Sequence, residues 1–469
     1  MAASESNHNL LYGIEDRPPL KETIILGFQH YLTMFGSTVA IPLLLAPAFG
    51  ITDPVEKGWL IATMFFVSGI TTILQTTWGN RLPIVQGGTF SFLAPTFAIC
   101  GMAALANSGW EVRMQHVQGA IIAGSVFEIA LGASGMVGRL LRWVGPVTIA
   151  PTIALIGLAL FKFGAPEAGK YWPIGGLTIV LIILFSQYFS RRYRTLELYP
   201  ILLAILTTWA VAALGTFLGI FPAGHPAYTS LENLNNAPWI RIPYPFQWGL
   251  PKFGIAALVG MLAGYIASIV ESIGDYYACA RLSGAPVPNG KTISRGITFE
   301  GIGCMIAGIF GTGNGTTSYS ENIGAIGLTR VGSRRVVQAG GWIMIVLGTV
   351  SKFGALFTTI PSPIVGGMYC AMFGMIASVG LSNLQFVDLN SARNLFILGF
   401  AFFMGLSVPE YFVLHPLVIE GQFQWLGNII NTLGSTGMAV GAFIALVLDN
   451  TIPGTDEERG LTVWQQVQI

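Results

Sequence analysis

The chain has 469 residues, 53% of them hydrophobic and only 10% charged, whereas an ordinary soluble domain carries about 25% charged residues. So apolar a surface needs lipid around it, and a formal net charge of +1 with no long basic block excludes phosphate backbones, so no nucleic-acid partner is expected. Cys100, Cys279, Cys304 and Cys370 form no CxxC pair and the histidines do not cluster, so neither a metal site nor a cofactor is expected, and the cysteines are read as buried free thiols.

In chain order, the polar tail 1–22 lacks the apolar core of a cleavable signal, which leaves targeting to the first spanning helix. Apolar runs near the roughly 20 residues that cross about 30 Å of hydrocarbon then recur to the end of the chain. Bounded by Gly, Pro or charge, they predict seven segments at 23–46, 58–78, 84–106, 118–137, 144–163, 171–189 and 199–221. After a polar stretch to 250, seven more are predicted at 253–277, 294–311, 317–329, 336–357, 360–379, 394–406 and 429–448. An even count of fourteen puts both termini on one side. With that side cytoplasmic, 16 of the 23 Lys and Arg fall inside, as the positive-inside rule requires.

The third segment of each half is unusual. One begins IVQGGTFSFLAP (84–95) and the other is reached through GTGNGTTSYSENIG (311–324). Both join glycines to Thr, Phe or Tyr, so each reads as a short extended stretch running into a half-helix. Non-helical backbone at membrane depth is tolerated only where protein buries it or it lines a cavity. A matched pair in two halves points to a transporter's binding site near the midplane; the bland reading is that the glycines allow close helix packing.

Ionisable residues in such segments cost roughly 2.5 to 3.5 kcal/mol each on insertion scales, so each is a functional hypothesis. His30 lies in the first segment, Glu128 in the fourth, Glu271 and Asp275 one turn apart in the eighth, Glu300 in the ninth and Glu321 at the start of the tenth half-helix. Glu271 and Glu321 in one cavity could accept paired N–H donors from a planar heterocycle, with Phe90 stacking on its face. Such a site suits uracil or xanthine and fits sugars and simple anions badly. Glu321 could instead cap its half-helix, although the neighbouring Ser320 is the better cap. Glu300 shares a segment with Arg295 and could be its ion-pair partner; Glu128 is read as a buried hydrogen-bonding partner. Buried Glu271, Asp275 or Glu300 could load a proton, or with backbone carbonyls hold sodium, so H+ and Na+ both stay open as coupling ion. No nucleophile motif, P-loop or His/Cys cluster suggests an enzyme.

At these segments the sequence resembles the nucleobase/ascorbate transporter family, the xanthine/uracil permeases. ENIGAIGLTR (321–330) matches the family signature, and QHYLTMFGSTVAIP from Gln29, LPIVQGGTFSF from Leu82 and ESIGDYYACARLSGAP from Glu271 follow the family's order, so the resemblance spans essentially the whole chain. It implies an all-α polytopic membrane fold of fourteen transmembrane segments in two inverted seven-segment repeats, with extended stretches in segments 3 and 10. It also implies a core domain (23–140 and 251–359), a gate domain (141–250 and 360–449) and cytoplasmic tails at 1–22 and 450–469. By motif position Glu271 and Glu321 resemble the substrate-binding carboxylates, with Phe90 and Ser320 contacting the base, and His30, Asp275 and Glu300 belong to coupling or to the hydrogen-bond network. The expected protein is a plasma-membrane symporter, importing a nucleobase with H+ by an elevator motion, often as a homodimer. The alternative is a sodium-coupled ascorbate or nucleobase carrier: ascorbate carriers share ESIGDYYACARL and GTGNG, but have Pro at the signature position held here by Glu321.

Overall fold

The computed structural model describes residues 10–140, 143–419 and 421–462. Arg142 and the outer parts of both expected tails, 1–9 and 463–469, lie outside the described residues. Helices dominate: α1 (Leu20–Phe49), α2 (Pro54–Thr77), α3 (Leu93–Cys100), α4 (Trp110–Ala133), α5 (Pro146–Leu158), α6 (Phe161–Ala168), α7 (Trp172–Ile183), α8 (Pro200–Phe217), α9 (Ile255–Ser283), α10 (Gly290–Phe310), α11 (Ser320–Thr329), α12 (Arg334–Thr349), α13 (Ser351–Phe357), α14 (Ser362–Ser382), α15 (Ala392–Leu414), α16 (Gln424–Gly434) and α17 (Gly437–Thr451). Two three-residue strands, β1 (Gln86–Gly88) and β2 (Thr316–Ser318), pair antiparallel.

Among the described residues, nine helical stretches are long and apolar enough to cross a membrane, and α16 with α17, which meet at 88°, would make a tenth. One of the nine, Pro146–Tyr188, has 43 residues but is not straight. A Cβ on Gly175 would lie 2.4 Å from the carbonyl oxygen of Ala168, seven residues earlier, whereas seven residues of straight helix advance about 10 Å. The chain therefore folds back at 169–171. The stretch expected at 336–357 is broken as well, into α12 and α13 at Val350, where Ile240 of the polar loop forms a bridge to it. The stretch expected at 394–406 runs on through Pro409 to Leu414.

Helix ends follow local chemistry. Asp53 caps α2, accepting the Val55 N–H at 2.9 Å, and Pro54 fits the first turn because its missing N–H is not needed there. Inside, small residues set the spacing: a Cβ on Gly69 would fall 2.4 Å from the Gly341 carbonyl oxygen, so α2 and α12 pack backbone against backbone. Large apolar side chains such as Phe217, Phe403 and Leu214 are exposed on the outer face, the arrangement lipid demands and water penalises. Cys100, Cys279 and Cys304 are buried free thiols; Cys370 is only partly buried.

Candidate functional site

The site is organised by the β1–β2 ribbon, which pairs Gln86 with Ser318, Gly87 with Thr317 and Gly88 with Thr316. Two three-residue strands leave most of their edge groups without a ladder partner, which would be prohibitive at membrane depth. Side chains supply the missing partners. Thr72 Oγ1 of α2 takes the Gln86 N–H at 2.9 Å and donates to its carbonyl at 3.2 Å. Asn314 accepts the Thr89 N–H and Asn322 the Val85 N–H, each at 2.8 Å. On the other edge the Cys304 thiol donates to the Thr316 carbonyl at 3.2 Å and accepts its N–H at 3.3 Å. Cys304 thus has a structural job that composition alone did not reveal.

Each strand feeds a short helix: β1 leads through a 3-10 turn at Phe90–Phe92 into α3, and β2 leads into α11. Because the strands are antiparallel, the two half-helices leave from opposite ends of the ribbon, so their N-termini flank it. Free amides and positive dipole ends then bracket one region, which favours polar or anionic groups there.

The sequence-selected residues gather around this ribbon. Glu321, in the first turn of α11, accepts a hydrogen bond from Ser37 of α1. Glu271 of α9 lies within Coulombic reach of both Glu321 and Glu300, and Asp275 is one turn further along, within reach of all three. Ser320 and Glu321 are exposed, Glu271 and Phe90 partly so. Phe90 stands edge-on to Phe373 of α14 at 6.3 Å between ring centroids, and Phe373 stacks on Tyr369. Ser320 does not cap: it is the first helical residue, Tyr319 holds the cap position, and no side chain closes that end. Glu321 makes no capping bond either.

Behind the ribbon sits Glu300, fully buried. It accepts hydrogen bonds from Ser272 at 2.5 Å, Tyr276 at 2.8 Å and Ser268 at 3.4 Å. Both serines also bond Thr317 of β2, at 3.0 and 3.1 Å, so the carboxylate web is tied to the strand. The ion pair considered for Glu300 is absent: Arg295 donates instead to the Gly79 carbonyl at 2.5 Å. His30 is buried with Nδ1 3.3 Å from the Asn322 amide nitrogen, and Asn322 also donates to the Pro83 carbonyl at 3.2 Å. One oxygen of Asp275, Oδ2, is buried without a partner. Glu128 is buried as expected; no O–H or N–H donates to its carboxylate oxygens, and the Cys304 thiol is the hydrogen-bonding group beside it.

Ser37, Ser268, Ser272, Tyr276, Thr317, Asn322 and Phe373 were missed by the sequence reading. A periodicity signal existed for three of them: Ser268, Ser272 and Tyr276 recur every fourth residue, one stripe of α9. A separate cavity of about 570 Å³, lined by Phe97, Lys162, Glu410 and Asn431 among others, contains none of the expected site residues.

The xanthine/uracil permease profile, described as the permease family, matches residues 21–414. The chain is 48% identical to mouse (Mus musculus) solute carrier family 23 member 2 over 98% of this chain and 77% of that one. It is 39% identical to nucleobase-ascorbate transporter 1 of Arabidopsis thaliana over 98% and 93%. Among solved structures it is similar in fold to SLC26A9 (TM-score 0.60, 12% identity, 83% of this chain and 63% of that one). It is also similar to the transmembrane domain of the cyanobacterial bicarbonate transporter BicA (TM-score 0.52, 14% identity, 90% and 99%). With a profile match over most of its length and relatives this similar over nearly all of it, the chain belongs to the nucleobase/ascorbate transporter family, the xanthine/uracil permeases, and is a multi-pass membrane transporter.

Proposed function

We infer that this chain is a secondary active symporter that imports a nucleobase of the uracil or xanthine class together with H+. The observation that carries the reading is the pair Glu271 and Glu321, from different helices, within reach of each other's charge beside the two half-helix N-termini. Two acceptors from different walls suit a ligand with adjacent N–H donors, and buried carboxylates behind them offer a place for a cation. Phe90 supplies a ring face for stacking, and Ser320 an exposed hydroxyl beside Glu321.

In this reading fourteen segments form two inverted repeats, with a core (23–140 and 251–359) that carries the ribbon and a gate (141–250 and 360–449) that carries Phe373. The core moves as an elevator against the gate, in a homodimer in the plasma membrane with both termini cytoplasmic. Glu271 and Glu321 bind the base; His30, Asp275 and Glu300 couple it to the cation. A second reading, sodium-coupled transport of ascorbate or a nucleobase, is favoured by one observation: ESIGDYYACARL and GTGNG are the stretches shared with ascorbate carriers.

Uptake of labelled uracil, xanthine and ascorbate into vesicles containing the protein, each under an imposed proton or sodium gradient, tests the inference. Concentrative uptake of uracil or xanthine driven by the proton gradient is the expected result. Ascorbate uptake under sodium alone selects the second reading, and accumulation-free uptake that ignores both gradients identifies a facilitator and overturns symport.

A further inference from the structure

Glu128 takes no part in the site described above, yet it is among the most deeply buried carboxylates in the molecule. It lies on α4 where that helix packs on α10, and its side chain is 0% exposed. A Cβ on Gly301 would fall 3.2 Å from the Cβ of Glu128, so a glycine on α10 is what lets the carboxylate in so close. Four titratable groups face it: Glu300 and Cys304 from α10, Tyr265 and Tyr276 from α9. Each donor among them already serves another acceptor, and of them only the Cys304 thiol also reaches Glu128. The Cys304 thiol serves the Thr316 carbonyl, the Tyr265 hydroxyl donates to the Ile121 carbonyl at 2.6 Å, and the Tyr276 hydroxyl donates to Glu300.

The contrast with Glu300 is the informative part. Glu300 accepts three O–H bonds, which can stabilise an anion; Glu128 accepts no O–H bond, and beside its two buried oxygens stands only the weak Cys304 thiol. No Lys, Arg or His forms an ion pair with it among the described residues. A second oxygen beside the same stretch of α10 is also unpartnered: Thr316 Oγ1, 2.6 Å from where a Cβ on Gly303 would stand. A buried carboxylate with only a thiol beside it is missing one unit of positive charge.

We propose that Glu128 is a cation-loading site, taking up one monovalent cation, H+ or Na+, between α4, α10 and β2. A proton converts the carboxylate to an acid that can donate to Thr316 Oγ1; a sodium ion takes the carboxylate and hydroxyl oxygens as ligands. Either way the cation ties α4 to β2, whose next residues are Tyr319, Ser320 and Glu321. Loading Glu128 therefore fixes the start of α11, and this coupling step rests on the transport reading given above.

The test uses the full-length purified chain without solute, following its melting temperature against Na+ at fixed pH and against pH without Na+. Wild type is stabilised by one of the two cations, which identifies the source; Glu128→Gln, neutral and isosteric, loses that response, and Glu128→Asp keeps it with the half-saturating concentration shifted about 10-fold. In vesicles, Glu128→Gln retains solute counterflow while gradient-driven accumulation falls about 10-fold; a merely structural role would lower both together. Glu128→Gln responding to both cations as wild type does overturns the proposal. Should Glu128→Gln not fold, an unshifted cation response in Glu128→Asp overturns it equally. If wild type transports none of the solutes tested, the transport reading fails, while the melting data still decide the fate of Glu128.

Discussion

Glu321 is fixed in place by a hydroxyl from another helix rather than by its own helix end. Ser37 donates to it, and no capping bond competes. Replacing it tests whether it serves a ligand: Glu321→Gln removes a charge-assisted acceptor and should weaken binding of the base by roughly 1.5 to 3 kcal/mol in a direct binding assay. Unchanged affinity would leave the carboxylate with only a packing role. Ser37→Ala should cost less, about 0.5 to 1.5 kcal/mol of affinity with melting temperature nearly unchanged, because it frees a rotamer without removing the acceptor. The sequence identified both acidic residues but not Ser37, which lies 284 positions from its partner; nothing local in GSTVAIP marks one serine as facing a distant half-helix.

The ribbon is the element on which the site depends, and its stability rests on side chains that replace absent strands. Thr72→Val keeps the shape but leaves the Gln86 amide without its partner, so it should lower stability by about 1 to 3 kcal/mol, read as a drop in thermal midpoint of the purified protein. A Gly69→Leu change would place carbon where the Gly341 carbonyl already is and should abolish monodisperse protein in size-exclusion chromatography. The segment before α1 is held to the start of α12. Gly332 N–H donates to the Tyr12 carbonyl at 2.8 Å, and Glu15 pairs with Arg334 and, at 3.6 Å, with Arg81. The Arg334 guanidinium holds the Glu15 carboxyl below its ordinary range. A lowered folded-state value means that this contribution is complete above the ordinary carboxylate range and is lost as pH falls through the folded-state value. The hydrogen-exchange protection of residues 11–16, taken relative to the intrinsic rate at each pH, should therefore fall on acidification below that range, and Arg334→Ala should flatten that fall. The effect on global stability should be small, because Glu15 is exposed.

For the molecule as a whole, apolar rings on the outer face of α15, such as Phe396, Phe400 and Phe403, are exposed in the single chain, and the reading as a homodimer predicts a mass of two 50.2 kDa chains for the protein extracted in native lipid. A single-chain mass would remove that part of the proposal. Composition and apolar run length by themselves determined that this chain lives in lipid, since the transfer of so little charge and so much apolar surface has one stable solution. They also marked the two interrupted stretches, because glycine with β-favouring residues in an apolar run is a local signal. Run length could not decide how the stretch 146–188 divides or that 336–357 breaks at Val350, since reversal and breakage depend on what packs alongside: Gly366 and Gly367 of α14 against Ala168 and Gly175, and Ile240 against Val350. Nor could it separate Glu300 from Glu128. Both are glutamates in apolar helices, and only tertiary contacts gave one three hydroxyl donors and left the other with none, because hydrogen-bond satisfaction is set by neighbours distant in sequence.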